Sequence, residues 1–454
     1  MQLTNEQISI LNSNSNKILI EALAGTGKTF ILMKYAEKYF TNSVLYIVFN
    51  KDMRKSSKTK FPANTVVHTI NSFSYKYNKD FIKGKMIIDN FNSTHIIDNL
   101  KFLYEKRKIN PLEAIKEANL ILLRFYSLMN SNINLEDIEG DKYTDFAKDF
   151  YHSMIEKGIL DHSSLLKHFH DNFNFSELDY DIVMLDEAQD LNPIMLSIIE
   201  KINPEKILIV GDSNQSIYSF RQNINIFKSE KVKNFNKFYL TKSFRFGKEI
   251  ANSIQDFYSN ILNKKFSLGF NENIQSYVTD SELLGNYSVY ITRTNANLFD
   301  KALEYALLGY KVSIPFDWED LKSSLTDMYY LKVGLLDSIN NKQIKQYLTF
   351  DNIKNLNKDG NDLELSYLIK VVDKHDFLIL DYLKILERQL SASKYADITF
   401  ITAHKSKGLE FLNVTVSNDF SLYSLEERNL IYVAMTRAIQ RLNISELKLK
   451  FNLK

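Results

Sequence analysis

Between residues 22 and 29 the chain reads Ala22-Leu23-Ala24-Gly25-Thr26-Gly27-Lys28-Thr29, small residues closed by a lysine and a hydroxyl. Small side chains let backbone N–H groups wrap a triphosphate. Lys28 then reaches its β and γ phosphates, and Thr29 offers a hydroxyl to magnesium. Ala22 departs from the first glycine of the strict loop. A ligand-free turn would have no use for the Lys-Thr pair. Farther on, Asp181-Ile182-Val183-Met184-Leu185-Asp186-Glu187-Ala188-Gln189-Asp190 ends an apolar run in adjacent carboxylates. Asp186 suits magnesium coordination and Glu187 suits activation of a water. Alone this is a buried strand with an acidic turn; behind a phosphate loop it points to an ATPase or a GTPase.

Next comes Val210-Gly211-Asp212-Ser213-Asn214-Gln215-Ser216-Ile217-Tyr218-Ser219-Phe220-Arg221. Gln215 is placed to hydrogen-bond a γ phosphate or the attacking water, and Tyr218 and Phe220 to stack on bases. In isolation the same segment would be a turn with core aromatics. Two arginines follow, Arg245 in Ser243-Phe244-Arg245-Phe246 and Arg437 in Met435-Thr436-Arg437-Ala438, types that stabilise a transferring phosphoryl group. Each could equally be a surface ion pair. What raises them is the nearby Thr402-Ala403-His404-Lys405-Ser406-Lys407-Gly408-Leu409-Glu410-Phe411.

Short β-branched runs must present these groups. Strands are expected at Lys17–Glu21, Val44–Phe49, Asp181–Leu185 and Lys206–Val210, with a helix over Lys28–Phe40, and a second set at Ser288–Thr292, Tyr310–Ile314, Asp397–Thr402 and Val414–Val416. Runs that precede turns and helical patterns read as parallel sheets with crossover helices. Two sheets fit better than one. Residues 76–177 and 316–396 are helical in pattern and poor in glycine, one mainly helical insertion in each lobe.

A length of 454 residues exceeds one hydrophobic core. Lys and Arg (57) nearly balance Asp and Glu (55) for a net +2, so any nucleic-acid surface is local; the clearest basic run is Lys51, Arg54, Lys55, Lys58 and Lys60. The absence of cysteine fits a reducing compartment, and no apolar run has membrane-span length, so a cytoplasmic protein with no membrane partner is expected.

In this order the motifs resemble superfamily 1 helicases of the UvrD/Rep/PcrA group, from Leu3 to about Leu442. Leu45-Tyr46-Ile47-Val48-Phe49-Asn50-Lys51 and Ser243-Phe244-Arg245-Phe246-Gly247 are similar to the core of the F-box DNA helicases. The resemblance implies two RecA-like α/β lobes of P-loop NTPase type, residues 1–75 with 178–241 and residues 242–315 with 397–454, with ATP in their cleft and single-stranded DNA across both. It implies Gln7 at the adenine edge, Phe244 stacked on adenine, Glu410 near the ribose, and Arg245 and Arg437 on the γ phosphate. Phe49, Asn50, Thr69, Tyr218, Phe220 and His404 fall in segments that line the DNA track. Asn71 replaces a frequent histidine and Phe220 a common tryptophan.

The activity implied is ATP- and Mg2+-dependent movement on single-stranded DNA, 3′ to 5′, in repair, recombination or defence against foreign DNA. The second insertion is shorter than is usual in the family, which implies a protein partner for strand separation. An ATPase subunit serving a partner nuclease and an ATP-gated DNA sensor are the alternatives. His152, His162, His168 and His170 cluster loosely and read as ordinary histidines, since no carboxylate spacing or cysteine accompanies them.

Overall fold

The computed structural model describes residues 3–218, 225–262, 266–315, 318–358 and 362–452. The chain divides into two compact units, Met1–Thr241 and Lys242–Lys454. Strands of the first unit are β1 (Lys17–Ala22), β2 (Val44–Val48), β3 (Thr65–Thr69), β4 (Met86–Ile88), β5 (Ile159–Asp161), β6 (Ile182–Leu185), β7 (Lys206–Gly211) and β8 (Asn236–Leu240). Six of them form a sheet in the order β3-β2-β6-β7-β1-β8, every pairing parallel, and β4 and β5 form a separate parallel pair.

A parallel sheet is covered on both faces, and the two-residue period of its strands sorts the side chains. Ile18, Ile20, Tyr46, Met184 and Leu208 share one core with Ile31, Leu32 and Tyr35 of helix Lys28–Lys38. Leu19, Leu45, Val183 and Ile209 join the opposite core with Ile194 and Ile198 of helix Pro193–Ile202. Truncating one of these buried aliphatic residues to alanine costs ~2–5 kcal/mol.

The stretch between β3 and β6 has its own core, where the Phe91, Phe125 and Phe150 rings meet edge to face at 5.1–5.6 Å. Its last helix, His162–Asn172, departs from that core: Leu166 and Phe169 pack with the main sheet.

The second unit holds β9 (Tyr277–Val278), β10 (Ser288–Thr292), β11 (Val312–Ser313), β12 (Ile398–Thr402), β13 (Phe411–Val416) and β14 (Ala438–Asn443), in the order β11-β12-β10-β13-β14-β9, again all parallel. Helices Trp318–Val333, Leu363–His375 and Ile379–Gln389 fill the segment between β11 and β12, and the last two pack on helix Asn295–Leu307. Gly247 is required here, because a Cβ on it would stand 2.0 Å from the Ile274 carbonyl oxygen.

Both sheets belong to the mixed α/β, parallel-sheet class expected from the sequence. The run expected at Tyr310–Ile314 is strand only at Val312–Ser313. Strands β3, β8, β9 and β14 extend the sheets beyond the runs read from the sequence. Among the described residues no helix is long and apolar enough to cross a membrane.

Candidate nucleotide and nucleic-acid site

The phosphate loop begins where β1 ends. Ala22 is fully buried in the sheet core and pairs with Leu240 of β8, so its methyl group packs where the strict glycine would leave a gap. Gly25 and Gly27 take φ of +72° and +85°, a left-handed backbone that a side chain would strain, and Gly27 caps helix Lys28–Lys38. Thr26 is buried, and its hydroxyl donates to the Leu23 carbonyl at 2.8 Å, closing the turn. The loop thus sets the N-terminus of helix Lys28–Lys38, with no side-chain cap, directly after β1, the placement of a helix-terminal anion site.

Asp186, at the end of β6, is buried beside this loop. Its Oδ2 accepts the Thr29 hydroxyl at 3.1 Å and the Tyr46 hydroxyl at 2.8 Å, and its Oδ1 accepts the Glu187 N–H at 2.9 Å. Burial first and then the Glu187 charge push Asp186 up to about 6, while Lys28 and the Tyr46 bond pull it down. Burial and the Asp186 charge hold Tyr46 well above the usual phenol range, so it stays a donor. A hydroxyl and a carboxylate of hard oxygens, side by side under a phosphate loop, fit magnesium.

Glu187 follows in a left-handed conformation, φ +55°, ψ +44°, which turns its carboxylate away from the strand direction. Gln189 steadies it, with Nε2 donating to Glu187 Oε2 at 2.5 Å and Oε1 accepting the Asp212 N–H at 2.9 Å. Gly211 makes this possible, since a Cβ there would lie 2.5 Å from Gln189 Oε1. Gln215 Nε2 donates to the fully buried Asp212 at 2.7 Å, and burial raises Asp212 while Lys28 opposes the shift. Lys28, Thr29, Asp186, Glu187 and Gln215 are therefore brought into one neighbourhood at the sheet's carboxyl edge, directly or through Asp212. Tyr46 and Gln189 join this site beyond the residues that the sequence singles out: the first reads as a core strand residue, and the second stands among acidic residues without a pattern of its own.

Gln7 is buried, its Oε1 accepting the Thr4 N–H at 3.1 Å and its Nε2 donating to the Thr26 carbonyl at 3.5 Å. This fixes the first helix against the phosphate loop. Glu6 reinforces it by accepting both the N–H and the hydroxyl of Thr241.

A cavity of about 560 Å³ opens at the same carboxyl edge, lined by Asp186 and Glu187 together with Phe49, Asn50, Thr69 and Asn71. Asn50 caps helix Lys51–Lys58 and Thr69 caps helix Ile70–Tyr77 through their side-chain oxygens, so two helix N-termini begin beside the cavity. Phe49 and Tyr218 stack on each other, 5.9 Å between centroids and 14° between planes. Phe220 lies outside the described residues. Of the histidines, His162 lines the cavity, His152 pairs with Glu136, His168 meets Asn78 and stacks on Phe81, and His170 bridges Asp171 and Ser197.

In the second unit Arg245 pairs with Glu410, and its Nη1 donates to the Thr436 carbonyl at 2.7 Å. Arg437 is buried, donating from Nε to the Val433 carbonyl at 2.8 Å, from Nη1 to the Leu409 carbonyl at 3.1 Å and from Nη2 to the Thr436 hydroxyl at 3.0 Å. Residues 409–410 and 436–437 thus form one knot around both arginines. Phe244 is half-buried beside it in sequence, with its carbonyl held by Asn271. His404 lies half-buried on the short helix Ala403–Ser406 that opens after β12.

The family profile of the UvrD/REP helicase N-terminal domain matches residues 3–236, over half the chain and nearly all of the first unit. The chain belongs to the UvrD/REP helicase family. The profile of the UvrD-like helicase C-terminal domain matches residues 397–445, which take in the knot residues 409–410 and 436–437. The chain is 27% identical to F-box DNA helicase protein 1 of Schizosaccharomyces pombe over 98% of its own length and 57% of that protein's. It is 28% identical to F-box DNA helicase 1 of Gallus gallus, over 98% of the chain and 49% of the relative. A shorter match, 26% identical over 48% of the chain and 18% of the relative, is to an ATP-dependent helicase/nuclease subunit of Lactobacillus helveticus. The chain spans about half the length of the two F-box helicases it matches.

Proposed function

We propose that this helicase-family chain is an ATP-driven motor on single-stranded DNA, moving 3′ to 5′. The observation that carries the reading is the convergence of the Thr29 and Tyr46 hydroxyls on Asp186, with Glu187 next to it, at the edge where the cavity with Phe49, Asn50 and Thr69 opens. Loop N–H groups from Ala24 to Thr29 bind the phosphates, and Lys28 neutralises the β and γ oxygens. Magnesium, held by Thr29 and Asp186, would supply charge neutralisation on the phosphate oxygens. Glu187, steadied by Gln189, takes the proton of the attacking water at a carboxylate oxygen. Gln215 orients that water or the γ phosphate, and Arg245 and Arg437 supply positive charge to the transferring group. Gln7, Phe244 and Glu410 select and seat the nucleoside.

On the DNA side, Phe49 and Tyr218 give π-faces that read no sequence, and N–H groups of the helices capped by Asn50 and Thr69 suit backbone phosphates. His404 serves the same strand from the second unit, and the resemblance of the motifs gives Phe220 a base-stacking role. The direction and a role in repair, recombination or defence rest on the resemblance of the motifs, and a cytoplasmic site of action on the cysteine-free composition.

A protein partner belongs to the proposal. The segment 316–396 offers only about 80 residues from which to build a wedge, while opening a duplex costs ~1.4 kcal/mol per base-pair step. The match to a helicase/nuclease subunit favours a nuclease as that partner. Paired assays on one substrate set test this. The lone chain is expected to displace a protein block 3′ to 5′ while unwinding long duplexes poorly. Efficient long-duplex unwinding would overturn the partner requirement, and displacement only from 5′ to 3′ would overturn the direction.

A further inference from the structure

We infer that Tyr46 is a positioning residue for the carboxylate of Asp186, a role that goes beyond the phosphate-loop and acidic motifs. The inference rests on the proposed ATPase reading, in which Asp186 helps to hold magnesium.

Tyr46 is the middle residue of β2, and the alternation of the strand turns it into the core under helix Lys28–Lys38. Its ring stacks on Phe61, 4.4 Å between centroids and 26° between planes. Every other member of that face of β2, Val44 and Val48, is aliphatic, and phenylalanine would fill the ring's space equally well. Packing alone therefore gives no reason for a hydroxyl in a fully buried position, where an unpaired phenol costs ~1–3 kcal/mol. The reason is Asp186: the Tyr46 hydroxyl donates to Oδ2 at 2.8 Å.

Three donors from three segments fix the plane of that carboxylate: Tyr46 from β2, Thr29 from the phosphate-loop helix, and the Glu187 N–H from the turn after β6. Thr29 is itself a proposed magnesium ligand, and its hydroxyl can offer the cation a lone pair while its O–H still donates to Asp186. Tyr46 is the side-chain hydroxyl that orients Asp186 without being a metal ligand in the proposed mechanism. Partners of metal ligands that lie one bond farther out set ligand orientation, and their loss typically weakens metal affinity ~10- to 100-fold.

The test uses the full chain, ADP and Mn2+ as the metal probe, with bound Mn2+ read by electron paramagnetic resonance. Tyr46→Phe keeps the ring and its stack on Phe61. It is expected to weaken Mn2+ binding in the ADP complex by about tenfold or more, with metal-free ADP affinity unchanged. Asp186→Asn is the control for the underlying reading and should weaken Mn2+ more severely. Wild-type Mn2+ affinity in Tyr46→Phe, with Asp186→Asn impaired, overturns the Tyr46 role alone. An equal loss of ADP affinity with and without metal also overturns it, because the hydroxyl would then support only the loop. Unchanged Mn2+ binding in Asp186→Asn overturns the magnesium assignment itself and the Tyr46 role with it.

Discussion

Arg245 and Glu410 are ion-paired within the second unit, the guanidinium Nε and Nη2 lying 2.9 and 2.7 Å from the same carboxylate oxygen. The Glu410 side chain is 49% exposed, so the pair adds little to stability. Its consequence is orientation. Arg245→Ala is expected to slow ATP turnover by ~10³-fold or more and, because the arginine is only 12% exposed and also holds the Thr436 carbonyl, to lower the melting temperature modestly, by less than Arg437→Ala. Steady-state hydrolysis beside a thermal melt checks both; unchanged turnover would leave Arg245 as a plain ion-pair partner of Glu410.

Loss of Arg437 should cost more stability. Its fork is buried on the Leu409 and Val433 carbonyls and the Thr436 hydroxyl, and removing it leaves buried acceptors short of a donor at ~1–3 kcal/mol each. Arg437→Ala should therefore lose turnover and also lower the melting temperature. Arg437→Lys should recover little of either, because an ammonium cannot span three acceptors in a planar fork. A variant that melts like the wild type would contradict the knot.

The hydrolytic centre separates binding from chemistry. Lys28→Ala should lose tight nucleotide binding, whereas Glu187→Gln should bind ATP normally and hydrolyse it at least ~10²-fold more slowly. Gln189→Ala removes the bond that steadies Glu187 and should fall between wild type and Glu187→Gln in turnover, with ATP affinity retained. Equilibrium nucleotide titration with single-turnover hydrolysis distinguishes the variants; near-normal hydrolysis by Glu187→Gln would remove that carboxylate from its role.

Asp186 gives a pH dependence whose sign is fixed. Its folded-state value of about 6 lies above the ordinary 3.8, so between these limits the folded chain holds the proton more tightly than the unfolded chain. Stability contributed by protonated Asp186 is present below pH ~4, is lost as pH rises to ~6, and is flat beyond. Without nucleotide or metal, Asp186→Asn should thus raise the melting temperature relative to wild type more at pH 7.5 than at pH 4.5. An equal difference at both values would show that Asp186 ionises freely in the fold.

The Phe49–Tyr218 stack joins the ends of β2 and of the segment after β7. With base stacking worth ~1–3 kcal/mol, Phe49→Ala should weaken single-stranded DNA binding roughly 5- to 100-fold while ADP affinity is unchanged. Fluorescence anisotropy of a labelled oligonucleotide reads the first and nucleotide titration the second. A parallel fall in both would mean that Phe49 supports the fold instead.

Much of this arrangement was legible because local rules and the fold agree. Gly25 and Gly27 announce a left-handed loop, and the apolar run before Asp186 announces a buried parallel strand. The edge strands were harder. β8, Asn-Lys-Phe-Tyr-Leu, is mostly exposed and carries no apolar run, so its place beside β1 is set by pairing and by the burial of Leu240 rather than by a sequence pattern. Tyr46 was invisible for a different reason: its hydroxyl meets a partner 140 positions away, and strand alternation assigns it only to the core. The helix His162–Asn172 reads as part of the helical stretch by periodicity, yet Leu166 and Phe169 face the main sheet, a choice that the helical period does not encode.

The most direct test of the motor reading is the rate of ATP hydrolysis by the purified chain, with and without single-stranded DNA, in excess Mg2+, beside Glu187→Gln as the blank. The account predicts strong stimulation by single-stranded DNA in the wild type and none in the variant. Hydrolysis that is indifferent to DNA, or a stimulated rate that survives Glu187→Gln, would contradict it.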